Sequence, residues 1–342
     1  MKKTNIIFAI PKPHQRAGGI DLAIEGITNS IVDASVVENR ESHSDIAACD
    51  AMHFHGLWQP NHFRLYRHCW KNKIPYLISP HGMLEPWAFN SRRWKKLPYF
   101  MLLEKRHLLR ANTVVATSDM ERESILKLCP TANVVVIPLG LDAEVQPNYQ
   151  ASRQTLGLRD DEKVLLYLSR IDRKKSLDLL VKSLTDLPDK NVRLQIVGAG
   201  DETYENEIRQ FISDNVNSLP SIDWIGAVWG DERWKYLQAA DAMVLPTQSE
   251  NFGFVVLESL WVGTPVLTTH NTPWRDYQSN SGVHLCQSNL DSVRDSVREL
   301  LVEIPTTIQK RQQTAVFCRK QFHWNQLQSA YKNAYQKVLN QG

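Results

Sequence analysis

Apolar runs rich in β-branched residues alternate along the chain with segments of helical period. A first series of strands is predicted at Asn5–Ile10, Ala51–His55, Tyr76–Ser79, Thr113–Thr117 and Val134–Pro138. A second runs Val164–Ser169, Arg193–Val197, Asp223–Ile225, Ala242–Pro246 and Pro265–Thr268. Helical periodicity follows most of them, at Gly19–Ser30, Asp119–Leu128, Leu177–Leu184, Glu205–Asn215 and Glu232–Ala240, and again from Phe322 to Leu339. Strand and helix in alternation predict an α/β protein with doubly wound parallel sheets covered on both faces. One stretch stands out against this pattern. In SENFGFVVLESLWVGTPV, residues 249 to 266, Glu258 sits inside an almost wholly apolar helix, eight residues after Glu250. A buried carboxylate is costly unless something pairs with it.

The two strand series are separated by LGLDAEVQPNYQASRQTLGLRDDEK, residues 139 to 163, rich in Gly, Pro and polar residues and without a good strand. A domain boundary is expected near Pro147–Ser152. Open α/β sheets bind ligands beyond the carboxyl ends of their strands, so the polar residues just after each strand are the ones to inspect, and a cleft between two facing domains is expected.

Composition narrows the class without naming a function. With 342 residues, 42% apolar and 23% charged, the chain has enough core for two soluble domains. A formal net charge of +3 does not by itself argue for nucleic acid. Five scattered cysteines, none in a Cys-x-x-Cys pair, disfavour a disulfide framework and a structural zinc site, and fit a reducing cytosol. The N-terminal apolar run breaks at Pro11, too early for a signal sequence, and no stretch approaches the roughly 20 apolar residues of a membrane span. Any membrane contact is then expected from the surface.

After KVLLYLS come Arg170 and then Asp172-Arg173-Lys174-Lys175, at the start of a helix. Cations at a strand end beside a helix N-terminus suit an anion such as a diphosphate, although alone the run reads as a solvated charged loop. After RLQIV comes Gly198-Ala199-Gly200, whose glycines permit a tight turn and close approach to a ligand. The third glycine of a dinucleotide fingerprint is missing, which weighs against a dehydrogenase. The amides of Asn251, Phe252 and Gly253 precede the helix of Glu258 and suit a ligand in the cleft. Glu250 could accept from sugar hydroxyls and Glu258 from the two hydroxyls of a ribose. A buried Glu258 satisfied by an arginine or backbone group is the equal alternative.

In the first half, Gly18-Gly19 opens a helix and His81 follows PYLIS. Either can be structural. His53 and His55 have no acidic or cysteine partner in sight, so a metal site is not expected. Residues 63–110 combine eleven cations, among them Arg92, Arg93, Lys95, Lys96 and Arg106, with Trp70, Trp87, Trp94, Tyr99 and Phe100. Such a stretch suits an anionic membrane or acceptor, or is a solvated helical face. No nucleic-acid reading module accompanies it.

The second half resembles the family 4 retaining glycosyltransferases of the GT-B fold. LSRIDRKKSLDLLVKSL, LQIVGAGD, WIGAVWGDERWKYLQAADAMVLPTQSENFGFVVLESLWVGTPVLTT and NTPW follow the family's order, and Glu250 with Glu258 matches its Glu-x7-Glu signature. AGG, SPHGML and VIPLGLD in the first half are consistent with it. The resemblance implies a first, acceptor-side domain over 1–148, rejoined by a C-terminal helix at about 325–342, and a donor domain over 149–324. It implies that Arg170 and Lys175 neutralise the donor diphosphate, Glu258 clamps the ribose and Glu250 binds the donor sugar with the amides after it. Gly18, Gly19 and His81 would close on the donor and place the acceptor, and the base would lie near Gly198–Gly200 and Gly226–Val228. Ser169 and Ser176 stand where the family usually has glycine.

The implied reaction moves a sugar from a nucleotide-diphosphate donor, UDP-linked in preference to GDP-mannose, to a glycan or lipid-linked acceptor, as in surface-polysaccharide assembly. No metal cofactor is expected, and domain closure would exclude water. A nucleotide-sugar epimerase or phosphorylase on the same fold is the alternative enzyme. A two-domain sugar-binding protein is the non-enzyme alternative.

Overall fold

The computed structural model describes residues 5–11, 18–31, 35–38, 49–189, 191–277, 281–304 and 308–340. The chain divides into two compact units, Met1–Asp142 with Phe322–Gly342, and Ala143–Gln321.

Unit 1 runs β1 (Ile6–Ile10), α1 (Gly18–Ile31), β2 (Ser35–Glu38), β3 (Ala51–His55), α2 (Pro60–Asn72), β4 (Tyr76–Ser79), α3 (Pro86–Asn90), α4 (Arg93–Tyr99), a π-helical turn (Phe100–Glu104), α5 (Lys105–Arg110), β5 (Thr113–Ala116), α6 (Asp119–Leu128) and β6 (Val134–Val136). All its strand pairs are parallel, in the order β2-β1-β3-β4-β5-β6. β1, β3, β4 and β5 are wholly buried, as strands covered on both faces must be.

Unit 2 runs α7 (Tyr149–Thr155), β7 (Lys163–Leu168), a 3-10 turn (Arg173–Lys175), α8 (Leu177–Ser183), β8 (Val192–Val197), α9 (Glu202–Asp214), β9 (Ser221–Gly226), α10 (Glu232–Ala239), β10 (Ala242–Leu245), α11 (Phe254–Trp261), β11 (Val266–Thr269), a second 3-10 turn (Pro273–Tyr277), β12 (Val283–Cys286), α12 (Leu290–Glu303) and α13 (Ile308–Phe322). Its parallel sheet has the order β12-β11-β10-β7-β8-β9. The order reverses between β7 and β10, and there the crossovers leave the sheet on opposite faces and open a crevice at the strand ends. In unit 1 the same reversal falls between β1 and β3.

The last helix, α14 (Trp324–Leu339), packs in unit 1. Gly26 of α1 and Gly140 admit the Trp324 indole, which a Cβ at either position would strike. Tyr335 of α14 reaches the His53 ring, 2.8 Å away.

Two expectations need correction. Pro147–Ser152 is not a free linker: Tyr149–Thr155 is helical, capped by Asn148, whose backbone N–H donates to Gln238 Oε1 of α10 at 2.8 Å. Ala143 already belongs to unit 2, where its carbonyl accepts from Trp261 Nε1 at 3.1 Å. The sequence pattern also omits β2 and β12. Both are edge strands whose runs, Ser-Val-Val-Glu and Val-His-Leu-Cys, carry polar residues and give no continuous apolar stretch.

Candidate functional site

At the β7/β10 reversal the chain leaves β7 through Ser169 and Arg170 and turns at Asp172, whose Oδ1 accepts from the Lys175 backbone at 3.2 Å. This Asp cap builds the short 3-10 turn and aims Lys175 inward. Lys175 is buried, and its ammonium donates to Glu250 Oε1, also buried, from the loop after β10. Arg170, on the same loop, is the opposite case: its side chain is 74% exposed, with Asp172 Oδ2 at 3.5 Å. The structure therefore brings Lys175 and Glu250 together and leaves the Arg170 guanidinium in solvent.

Ser176 takes φ +53°, the left-handed region, which explains why glycine suits that position better. Gln248 Nε2 donates to its hydroxyl at 2.9 Å and ties the two loops a second time. Gly253, at φ +78°, caps α11, and Phe252 is fixed by its carbonyl, which accepts from Trp274 Nε1 at 2.6 Å. Asn251 and Gly253 are half-buried beside it, and a Cβ on Gly253 would lie 3.5 Å from Glu250 Cγ.

Glu258 is buried on α11, and the Arg233 guanidinium of α10 donates to its Oε1 from Nε at 3.1 Å, with Nη2 at 3.0 Å. Burial raises its carboxyl above the usual range, opposed by the arginine charge. The question raised by a carboxylate in an apolar helix thus has a direct answer within the protein: Arg233 is its partner. The sequence does not single out Arg233, although it stands in the string WGDERWKYL at the second position of a predicted helix.

Gly198 and Gly200 each bring neighbouring backbone close. A Cβ on Gly198 would collide with the Ser169 carbonyl oxygen, and one on Gly200 with that of Ile171. The Ile171 amide donates to Ala199 O at 3.1 Å, and the Asp201 amide to Ile171 O at 2.8 Å. The glycines admit the neighbouring backbone, which locks the Arg170 loop onto the β8 loop. Val228, after β9, is half-buried.

Unit 1 presents a different edge. His81 follows β4, half-buried, at φ +51°, and Gly82 follows at φ +73°. Glu121, fully buried at the start of α6, accepts from the Gly82 amide at 2.6 Å and from the Thr117 amide and hydroxyl at 2.8 and 2.9 Å. The His81 Nε2 lies 2.9 Å from His55 Nδ1, the rings stacked 18° from parallel. His53, two residues back on the same face of β3, is 2.8 Å from Ser79 Oγ through Nε2. Burial pushes His81 down to about 4 and His53 to about 3, and lowers His55 as well, so all three are neutral at pH 7. Among the described residues no group of three His, Cys, Asp or Glu is arranged to hold a metal ion. Gly18 and Gly19 open α1; residues 12–17 before them lie outside the described residues.

The basic aromatic stretch folds into α2 through α5. Trp94 and Leu102 are each 75% exposed, and Met101, Leu97 and Trp87 are also exposed. Lys95 lies over the Trp94 ring at 4.7 Å, and Arg106 and Arg110 over Trp70 at 4.6 and 3.2 Å. The π-helical turn faces Met101 and Leu102 outward while Glu104 points in, accepting from the Trp58 amide at 2.9 Å. Among the described residues no helix is long and apolar enough to cross a membrane.

Residues 148–313 match the family described as Glycosyl transferases group 1, and residues 39–145 that described as Glycosyltransferase Family 4. The chain is 28% identical over 211 residues, 59% of its length, to alpha-monoglucosyldiacylglycerol synthase of Streptococcus pneumoniae, covering 47% of that protein. It is 34% identical over 170 residues, 46% of its length, to D-inositol 3-phosphate glycosyltransferase of Kineococcus radiotolerans, covering 39%. The alignments thus span less than half of these curated relatives. Among solved structures, Anabaena Alr3699/HepE in complex with UDP and glucose superposes with a TM-score of 0.79 at 16% identity, over 98% of this chain and 100% of that one. Two parallel-sheet α/β units, these matched segments and this structural likeness identify the chain as a member of the family 4 glycosyltransferases, with the GT-B fold.

Proposed function

We propose that the protein transfers a sugar, with retention at the anomeric carbon, from a nucleotide-diphosphate donor to a glycan or lipid-linked acceptor, a UDP-sugar being preferred over GDP-mannose. The observation that carries this reading is the Lys175–Glu250 pair buried at the β7/β10 reversal, with the exposed Arg170 guanidinium beside Asp172 on the same loop. A leaving diphosphate gathers negative charge as the sugar departs. Fixed cations offset that charge without reorganisation and without a metal cofactor. Lys175 supplies one of them and Arg170 the other.

In this scheme Glu258, held by Arg233, accepts from the ribose hydroxyls. Glu250 and the Asn251–Gly253 amides hold the donor sugar, and the base rests near Gly198–Gly200 and Val228. His81 donates to an oxygen of the substrate, and Gly18-Gly19 lets backbone approach it. The bond from the anomeric carbon to the phosphate oxygen breaks, and the bond to the acceptor oxygen forms on the same face. The acceptor's proton passes to the leaving phosphate, so no separate base is required. The UDP and glucose bound by HepE support the donor class. The name of the pneumococcal relative supports a lipid acceptor.

The test is thermal-shift binding of UDP, GDP, ADP and their sugar conjugates to wild type and Glu258→Ala. A nucleotide that stabilises wild type and not the variant supports the ribose clamp and names the base. No shift with any nucleotide removes the donor assignment.

The acceptor side of this reading places the protein at the inner face of a membrane, in exopolysaccharide or lipopolysaccharide assembly, without nucleic acid as a partner. Exposed Trp94, Leu97, Met101 and Leu102, in a segment that also carries the exposed cations Arg92, Arg93, Lys95 and Arg106, suit an anionic interface. Co-sedimentation with phosphatidylglycerol vesicles should fall about thirty-fold for Trp94→Ser with Leu102→Ser, each lost apolar anchor weakening partition by about 1 kcal/mol. Undiminished binding, or none by wild type, removes the membrane assignment.

A further inference from the structure

We propose that His81 is held as the neutral tautomer protonated on Nδ1, that His55 imposes this state, and that His81 consequently meets its substrate as a hydrogen-bond donor and not as a base. The proposal deepens the reading of His81 as a substrate-facing residue and rests on it for its functional half only.

One proton lies between His55 Nδ1 and His81 Nε2, 2.9 Å apart. It has two placements. If His81 donates, His55 must carry its own proton on Nε2. That nitrogen is buried and has no hydrogen-bond partner among the described residues, with the Phe8 and His53 rings as its neighbours at 5.2 and 4.1 Å between centroids. An N–H orphaned in such a place is the rarer and costlier defect, since an aromatic face is a weak acceptor. If His55 donates, its Nε2 is a bare lone pair, and burial of an under-satisfied acceptor is better tolerated. The second placement leaves His81 with a lone pair on Nε2, taken up by His55, and a proton on Nδ1. A third state, with either ring cationic, is opposed by burial and by the proximity of three imidazoles.

The backbone shows that this ring is held on purpose. A histidine at φ +51° followed by glycine at +73° is a turn that persists only where neighbours determine it, at about 1–3 kcal/mol for the strained residue. Glu121 supplies the constraint by binding the Gly82 amide, and His55 fixes the ring. Both are positioning residues. What they deliver is a directed N–H, the partner needed by phosphate oxygens, which only accept, and accepted equally by sugar hydroxyls.

The first experiment needs no substrate. In the full chain labelled with 15N-histidine, at pH 7.5, a long-range 1H–15N spectrum, with His81 assigned by His81→Gln, should show Nδ1 protonated and Nε2 bare. Protonation on Nε2 overturns the proposal whether or not the donor assignment stands. The functional half uses His55→Asn, which keeps a donor near the position of Nδ1, and His55→Leu, which has none. In His55→Leu, His81 should shift toward the Nε2-protonated form and kcat should fall about ten-fold, the value of one hydrogen bond, while His55→Asn stays within about three-fold of wild type. Equal losses in both variants, with the His81 tautomer unchanged, overturn it. Should His55→Leu fail to fold by circular dichroism, the wild-type spectrum and His55→Asn decide.

Discussion

At the β7/β10 edge of unit 2 the chemistry-bearing side chains are ions held in pairs: Lys175 with Glu250, Arg233 with Glu258, Arg170 beside Asp172. At the β3/β4 edge of unit 1 they are neutral imidazoles, His53, His55 and His81, stripped of water and of charge. Both edges lie at strand ends of parallel sheets, so the fold does not account for the difference. On the proposed function, what each must do accounts for it. A departing diphosphate needs fixed charge, and charge survives burial only when paired. A substrate hydroxyl or phosphate oxygen needs direction more than charge, and a desolvated neutral ring with one nitrogen engaged supplies it.

The largest test of this contrast is removal of charge on the ionic side. Lys175→Ala should lower transfer about 10²–10³-fold, the range for loss of one preorganised charge-stabilising donor, measured as kcat with saturating donor. It also strands Glu250, so its stability should drop by about 3–5 kcal/mol. Arg170→Ala separates the two effects. With the side chain 74% exposed, stability by chemical denaturation should hardly change while turnover falls. Normal turnover in both variants would remove the ionic half of the comparison.

The neutral side should break through its backbone strap instead. Glu121→Gln keeps the volume but turns one acceptor oxygen into an amide donor facing either the Gly82 amide or the Thr117 pair. Unit 1 should lose about 1–3 kcal/mol, the cost of an unsatisfied buried group, read from urea unfolding. An unchanged midpoint would mean that the His81–Gly82 turn is held by something other than Glu121.

The two edges also differ in how far they can be read from sequence. Parallel strands buried on both faces give mostly apolar runs, which is why β3, β4, β7, β8, β10 and β11 are legible within a residue or two, whereas the edge strands β2 and β12, each with polar residues in its run, are not. On the ionic side, Arg170, Lys175, Glu250 and Glu258 are legible because each lies in a string whose order and spacing carry a family signature. The pairing is not: nothing in spacing brings Lys175 to Glu250, 75 residues on, or Arg233 to Glu258, 25 on. That Gly198 and Gly200 admit the Ser169 and Ile171 carbonyls is not legible either, because glycine next to a strand end admits any close neighbour. On the neutral side His53, His55 and His81 are legible, but what holds them is not. His53 and His55 share a strand face by period two, but Glu121 is one more acid in the first turn of a helix, where acids are common for the helix dipole alone. Its neighbour across space, Gly82, is 39 residues away.

Titration gives the smallest and most discriminating test, because unit 1 carries buried groups of both signs. His53, His62, His81 and His107 are depressed by burial to about 3, 3, 4 and 4. Between those values and the unfolded value near 6.5 the unfolded chain binds protons that the folded chain refuses, so stability falls as pH drops from 6.5 toward 4. Glu104 works in the opposite sense. Burial raises it to about 7, so from about 4.5 to 7 the folded state holds a proton that the unfolded state releases, and stability declines as pH rises through that window. The hydrogen bond from the Trp58 amide opposes the shift. His55 is lowered too and burial raises the Glu121 carboxyl, so five histidines outweigh two carboxyls and wild type should melt at lower temperature as pH falls from 6.5 to 4. Glu104→Gln removes the opposing contribution while keeping an acceptor for the Trp58 amide. Its melting temperature should exceed that of wild type at pH 8, where Glu104 is forced to ionise, and the gap should close by pH 5. A gap that is constant with pH would show that Glu104 is not titrating, and that the neutral character of this unit stops at its histidines.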